Sequence, residues 1–328
     1  MGNSHETCTD VEFIQLWGQL QSATRVSEHL GISVRATHLR RRYLEKQYNM
    51  ALHAGDHRGV QYDKNKPKSF SPLKQLELGI LDGTVIVFSD AHFIPAQRTT
   101  AFKGLLWAIQ TFKPKAVICN GDAFDGASIS RHDVTDQPQT SVIQELKATQ
   151  GALGEIEEIA KSVRHNVKLL FTWGNHDIRF GNRLAQHAPQ FKDVVGFKLT
   201  DHIPDWDFCW AVWPTEQCII KHRYKGGVHA THNNTVNAGV SIVTGHLHSL
   251  KVTPFSDFNG VRFGCDTGTL AETDGPQFTY AELNPNNHRS GFVVLNFFNG
   301  ELLWPEIVAK HSEDHIQFRG EVIDVGAF

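Results

Sequence analysis

Cysteine is scarce in this sequence and never paired: five residues (Cys8, Cys119, Cys209, Cys218, Cys265) are scattered over 328 positions, nowhere spaced as CxxC. That distribution excludes a disulfide miniprotein, argues against a thiolate zinc site and suits a reducing compartment. Long apolar runs are also missing. Stretches such as Phe292–Leu295 fall far below the roughly 20 residues that cross a bilayer. The opening MGNSHETCTD has neither the basic nor the apolar region of a secretory signal, and Glu6 departs from the myristoylation pattern. A cytoplasmic protein is therefore the expectation, and with 40% hydrophobic residues the chain can bury a core without covalent staples.

A large excess of one charge is absent as well, since the formal net charge is only −3. The balance is uneven, however. Residues 35 to 74 hold ten basic side chains (Arg35, Arg40, Arg41, Arg42, Lys46, Arg58, Lys64, Lys66, Lys68, Lys74) against three acidic ones (Glu45, Asp56, Asp63). A basic block beside an acidic body fits a segment that meets a polyanion, with a solvated helix face and linker as the alternative. Histidine, by contrast, is plentiful. There are nineteen, several beside Asp, Asn or Gly at the ends of apolar runs, which points to metal.

Residues 11–20 place Phe13, Ile14, Trp17 and Leu20 at helical spacing. Ser22 can cap a second helix, ATRVSEHL, which Gly31 would stop, and Ser33 can cap a third, VRATHLRRRYLEKQY. RVSEHLGISVRATHLRRR resembles a DNA-reading helix-turn-helix whose last helix presents Arg35, Thr37, His38, Arg41 and Arg42 outward; a protein-binding helical pair is the alternative. Arg40 is expected to run partly along the core. Polar, Lys- and Pro-rich text follows, with room for one hairpin. The expected organisation is a helix-turn-helix unit at 1–50, a basic linker at 51–80 and a catalytic domain at 81–328. Within the last, TVIVFSD, KAVICNGD and NVKLLFTWGNHD alternate with helical patterns at 97–112 and 142–163, which predicts an α/β layer architecture. The later half is denser in strands, as if a second sheet packed on the first.

Each of those three strands ends in a polar signature: Asp90 and His92, Asp122, then Asn175 and His176. Ligands bind at the carboxyl ends of strands in open α/β sheets, so these residues are expected to converge on one edge. Asp and His, with Asn as a neutral oxygen donor, suit manganese, iron or zinc better than a magnesium-only site, which favours carboxylates and water. VSIVTGHLHS adds His246 and His248 at the end of another apolar run.

DAH (Asp90–His92), NGDAFD (Asn120–Asp125), GNHD (Gly174–Asp177) and GHLH (Gly245–His248), in that order, resemble the calcineurin-like metallophosphoesterase superfamily over about residues 83–272. The resemblance implies an α/β four-layer αββα sandwich with two divalent metal ions at the strand ends. It assigns Asp90, His92 and His248 to one ion, Asn175 and His246 to the other, and Asp122 as the bridge. A further histidine ligand is expected between the last two motifs. His222 ends the apolar run CIIKH and is chosen over His229 and His232, which suit a substrate-facing loop or helix start; His229 is kept as a substrate contact. His176 is implied as general acid, with Asp177 orienting its ring or capping the next helix. Arg131, His132, Arg179 and Arg183 lie where cations could meet phosphate oxygens.

The function expected is hydrolysis of a phosphodiester by two-metal activation of water, with DNA as substrate and manganese as first choice among the metals. NGDAFD resembles the motif of double-strand-break nucleases in the superfamily. The alternatives are a small-molecule or nucleotide phosphoesterase, and a serine/threonine protein phosphatase. The latter carry GDxVDRG and GNHE, whereas Gly126 and Asp177 stand here for their Arg and Glu. A DNA-binding regulator with an inactive hydrolase body is disfavoured by the intact ligand set, because clustered Asp and His are costly without a cation. The pairing of a DNA-reading arm with a hydrolase body resembles phage-encoded phosphoesterases, which would place the protein in host cytoplasm.

Overall fold

The computed structural model describes residues 8–52, 74–130, 140–191, 193–281 and 286–328. Contacts divide the chain into two units, Met1–Ser69 and Phe70–Phe328. Arg131, His132, the basic residues Arg58, Lys64, Lys66 and Lys68, and most of the expected linker and its hairpin lie outside the described residues.

In the first unit three helices follow the caps that start them. Thr9 accepts from the Glu12 amide while the Glu12 carboxylate accepts from the Thr9 amide, a capping box that opens α1 (Asp10–Leu20). Ser22 and Ser33 cap α2 (Ala23–Leu30) and α3 (Val34–Tyr48), and Gly31, at φ 65°, ends α2. Phe13, Trp17, Val26, Leu44 and Leu52 form the small core. Arg40 runs across Phe13, 5.2 Å from the ring centroid, and donates to Cys8 O and Asp10 Oδ1.

The outward face expected for α3 needs correction. Thr37, His38 and Arg41 are buried, on the same face as Leu44. Arg41 stacks over Trp17 at 5.2 Å and pairs with Glu45. The reason is helical period: positions 34, 37, 38, 41 and 44 share one stripe, and the apolar ends of that stripe set its direction. Arg35 and Lys46 are exposed and Arg42 is half-buried.

The second unit runs β1 (Gln75–Glu77), β2 (Gly83–Phe88), α4 (Thr100–Phe112), β3 (Ala116–Cys119), α5 (Val142–Val163), β4 (Lys168–Thr172), α6 (Asp177–His187), α7 (Leu199–His202), β5 (Asp207–Cys209), β6 (Ala211–Thr215), β7 (Cys218–Ile220), α8 (Ala230–Ala238), β8 (Ser241–Thr244), β9 (Lys251–Asp257), β10 (Gly260–Asp266), β11 (Gly291–Phe298), β12 (Glu301–Leu302), β13 (Glu306–Ser312), β14 (His315–Phe318) and β15 (Glu321–Asp324). One sheet has the order β15-β14-β13-β11-β2-β3-β4-β5, with β12 beside β11; the other has the order β1-β6-β7-β8-β10-β9. Strand β1 lies inside the stretch expected as linker, because Gln75–Glu77 pairs in parallel with β6.

Alternation along the central strands explains the layers. Ile86, Phe88, Val117, Cys119, Leu169 and Phe171 join the core formed with α4 and α5, while Val85, Val87, Ile118 and Leu170, pointing the other way, are also buried. A sheet buried on both faces needs a layer on each side. Helix α4 covers one face, packing on β11, β13 and β14, and the other sheet, itself covered by α8 on β8, β9 and β10, is the second layer. This is the mixed α/β sandwich, two sheets flanked by helices.

Candidate metal centre

Register brings the polar signatures to one edge. Phe88, Cys119 and Phe171 are aligned across β2, β3 and β4, so the residues after them leave the sheet side by side. In the second sheet Ile220 and Val243 are partners, which sets His222 and His246 at neighbouring strand ends.

The structure gathers these side chains into two clusters built on the expected ligands, Asp90, His92 and His248, and Asp122, His222 and His246, with His92, Asp125 and His176 forming a third that overlaps the first; the donor atoms within each lie within 4.8 Å of one another. His248 Nε2 is 3.0 Å from Asp90 Oδ1, and His222 Nε2 is 3.0 Å from Asp122 Oδ2. Main chain ties the clusters in: the His246 amide donates to Asp90 Oδ2 and the His176 amide to Asp122 Oδ1. His229 and His232 stand elsewhere, both exposed, His229 before the first residue of α8 and His232 against Phe255.

The backbone is bent to achieve this. Asp90, His92, Asp122, His246 and His248 all have positive φ, between 43° and 75°. That conformation costs a residue with a Cβ on the order of 1 kcal/mol or more, and five instances in one site mark it as the place where the fold stores strain. Two glycines allow the close approach. A Cβ on Gly174 would fall 2.0 Å from Asp122 Oδ1, and one on Gly245 would fall 2.4 Å from Ser89 Oγ.

The donor set fits divalent cations on a structural criterion. His92 Nε2, His248 Nδ1 and Asn175 Oδ1 are buried and make no hydrogen bond among the described residues, and His222 Nε2 lies against Asp122 Oδ2 at 3.0 Å without the alignment of a hydrogen bond. Such orphaned atoms are costly unless a cation takes them. The opposite ring nitrogens explain the aim: His92 Nδ1 donates to Asp125 Oδ1 at 3.2 Å and His222 Nδ1 to Asn120 O at 2.7 Å, leaving each Nε2 turned to the centre. Electrostatics agree. Burial opposes charge on His92, but Asp125 and the other carboxylates push it up to about 9; burial likewise opposes His222, and Asp122 with Asp90 pushes it up to about 10. Burial disfavours ionised Asp90, Asp122 and Asp125 too, and the imidazoles overcome it: His248 and His222 bring Asp90 to about 2, and the other two lie well below the usual carboxylate range. The pocket thus stabilises positive charge.

Asp177 corrects an expectation. Its carboxylate accepts from the amides of Asp122, Phe124 and Gly174 and pins two ligand loops together, with no hydrogen bond to a histidine ring among the described residues. Burial, then Asp122, pushes it up to about 7. The ring of His176 is held instead by Asp125, whose Oδ1 accepts from His176 Nδ1 at 2.7 Å. Sequence reasoning quoted Asp125 within NGDAFD but gave it no role; its three-residue offset from Asp122 was the available signal. Arg179 donates to Asp125 O and meets His176 Nε2 at 3.1 Å, while Arg183 donates to Ser130 O.

Beneath Asp125, buried Glu145 accepts from the Gly126 amide at 2.6 Å, and burial, then Asp125, pushes its carboxyl up to about 7. Its folded pKa thus exceeds its unfolded value, so its contribution is full below about pH 4.5 and is lost as pH rises through about 7. Glu145→Gln is expected to remove that slope and to raise stability at pH 8 by about 2–3 kcal/mol. Urea melts of both proteins between pH 5 and 8 check this; parallel slopes would refute it.

Fold and site define a hydrolase with candidate metal ligands. The family profile of calcineurin-like phosphoesterases matches residues 83–322, and the chain belongs to that family, which depends on dinuclear metal centres. Similar solved structures include Chaetomium thermophilum Vps29 (12% identity, 74% of this chain and 97% of that one, TM-score 0.38). Pseudomonas putida nuclease MPE is another (15%, 67% and 86%, TM-score 0.31), as is a dimetal phosphatase from Danio rerio (10%, 75% and 99%, TM-score 0.33). No curated protein matches the chain. No helix among the described residues is long and apolar enough to cross a membrane.

Proposed function

We propose that the protein is a metal-dependent phosphodiesterase that cleaves DNA. The observation that carries this reading is the company the orphaned ligand atoms keep: Asn175 lines a cavity of about 310 Å³ with Arg179, Arg183 and Arg223, and no carboxylate is among the lining residues. A cation-lined hollow beside two clusters of metal donors suits a phosphate held at one ester oxygen and cut at another.

Asp90, His92 and His248 would hold one ion, and Asn175, His222 and His246 the other, with Asp122 between. When bound, such a pair lowers the pKa of water and neutralises phosphoryl oxygens. The remaining work falls to side chains. His176 gives its Nε2 proton to the leaving oxygen as the P–O bond breaks. In the present arrangement Arg179 faces Nε2, so the guanidinium must swing to the phosphate before His176 can act as an acid. Asp125 keeps the ring aligned throughout by holding Nδ1.

The N-terminal helices add a DNA-contacting face. On α3 it comprises Arg35, Arg42 and Lys46, spaced at seven and four residues along the side opposite Leu44. Manganese-loaded protein is expected to hydrolyse bis-p-nitrophenyl phosphate and to cleave DNA offered as single strand or supercoiled plasmid, whereas p-nitrophenyl phosphate turnover without any diester turnover would overturn the reading. In the same assay, removal of residues 1–50 is expected to weaken DNA binding and flatten its salt dependence. Unchanged affinity and slope would remove the helices from the proposal.

A further inference from the structure

A second cavity, of about 460 Å³, adjoins His246 and is lined by Lys221, Arg223, Tyr224 and Lys225, again with no carboxylate. Asn175 lines the first cavity, His246 the second and Arg223 both. The two hollows therefore flank one cluster of metal donors, and together they present five cations in a chain whose net charge is −3. A phosphomonoester fills one such hollow. A chain with regularly spaced phosphates uses both.

Tyr224 adds a different chemistry. Its side chain is 46% exposed, with Lys221 Nζ 5.2 Å and Lys225 Nζ 6.0 Å from the ring centroid. Hydrogen bonds from the Lys225 amide to Asn234 Oδ1 and from Lys225 Nζ to Asn237 Oδ1 fasten the segment to α8, so the ring stands on a fixed support. Arg223 is exposed. An aromatic face inside a basic groove is how proteins grip unpaired bases while tracking the backbone. Inorganic polyphosphate would leave Tyr224 without a role, and a duplex has no free base to give it.

We propose that Lys221–Lys225 forms a track for single-stranded DNA, in which phosphates on either side of the scissile one occupy the two basic cavities and an adjacent base stacks on Tyr224. The inference rests on the diesterase reading above and names its substrate form.

The test uses full-length, manganese-loaded protein with a short single-stranded oligodeoxynucleotide, the same strand with abasic residues, and its duplex. Tyr224→Ala is expected to raise KM for the single strand about tenfold while kcat stays within about twofold, and Tyr224→Phe to behave as wild type. Abasic residues are expected to raise KM for the wild type but not further for Tyr224→Ala, since one lost contact cannot be lost twice. An unmoved KM in Tyr224→Ala, penalties that multiply, or a lower KM for the duplex would each overturn the track while leaving the diesterase intact. If the wild type hydrolyses bis-p-nitrophenyl phosphate but none of the oligonucleotides, the track and the DNA substrate fall together.

Discussion

Asp122→Asn is expected to lower diester hydrolysis by a factor of about 10³ or more and to strip metal from the protein, with the fold retained. Asp122 is 1% exposed, its Oδ2 3.0 Å from His222 Nε2 and its Oδ1 accepting from the His176 amide at 2.8 Å. Asparagine has the same shape and keeps an acceptor for that amide. It removes a negative charge and aims an N–H pair at the ring that should face a cation. Burial opposes ionisation of Asp122, but His222 keeps it charged, well below the usual carboxylate range. Without that charge, the pocket keeps only Asp90 of the two carboxylates that favour a cation beside His222, which is why the loss falls on metal affinity. Metal analysis, far-ultraviolet circular dichroism and turnover together check the expectation. Normal metal content with normal turnover would show that Asp122 is no ligand.

The parts of this molecule that follow from local chemistry were legible in the sequence. Ser22, Ser33 and Gly31 mark helix ends because capping is settled within four residues, and the ends of β2, β3 and β4 are marked by apolar runs meeting Asp, Asn and His. Parts that depend on packing were not. The resemblance to a helix-turn-helix places Thr37, His38 and Arg41 outward, whereas the helical stripe shared with Leu44 turns them inward. Asp177 follows His176 directly, which suggested that it serves the ring, yet its oxygens close loops that meet only in three dimensions, and the ring is served by Asp125 from another strand end.

The stretch after Trp304 forms β13, β14 and β15. The turn between the last two is Arg319-Gly320, both with positive φ, where an Asn-Gly pair would have announced a hairpin. Asn299-Gly300, between β11 and β12, has the same geometry with the expected residues. The Arg319 guanidinium donates to both Glu306 oxygens at 2.8 Å.

His176→Ala should separate two kinds of diester. As a proton donor, His176 matters in proportion to the basicity of the leaving oxygen, so its removal is expected to slow cleavage of DNA about 10²–10³-fold. Bis-p-nitrophenyl phosphate, whose phenolate departs without protonation, is expected to lose less than about tenfold. The geometry makes the test selective, because His176 stands outside the clusters around Asp90 and Asp122 and meets the donors only in the third, with His92 and Asp125, where its Nδ1 is committed to Asp125; its Nε2 lies 3.9 Å from Asp122 Oδ2. Metal content should therefore be unchanged in the variant. Asp125→Asn gives the complementary result, since Asp125 aligns both His92 and His176, and its loss is expected to slow both substrates and lower metal affinity together. Equal losses on the two substrates in His176→Ala, with metal content intact, would mean that the ring stabilises the phosphoryl group and passes no proton to the leaving oxygen.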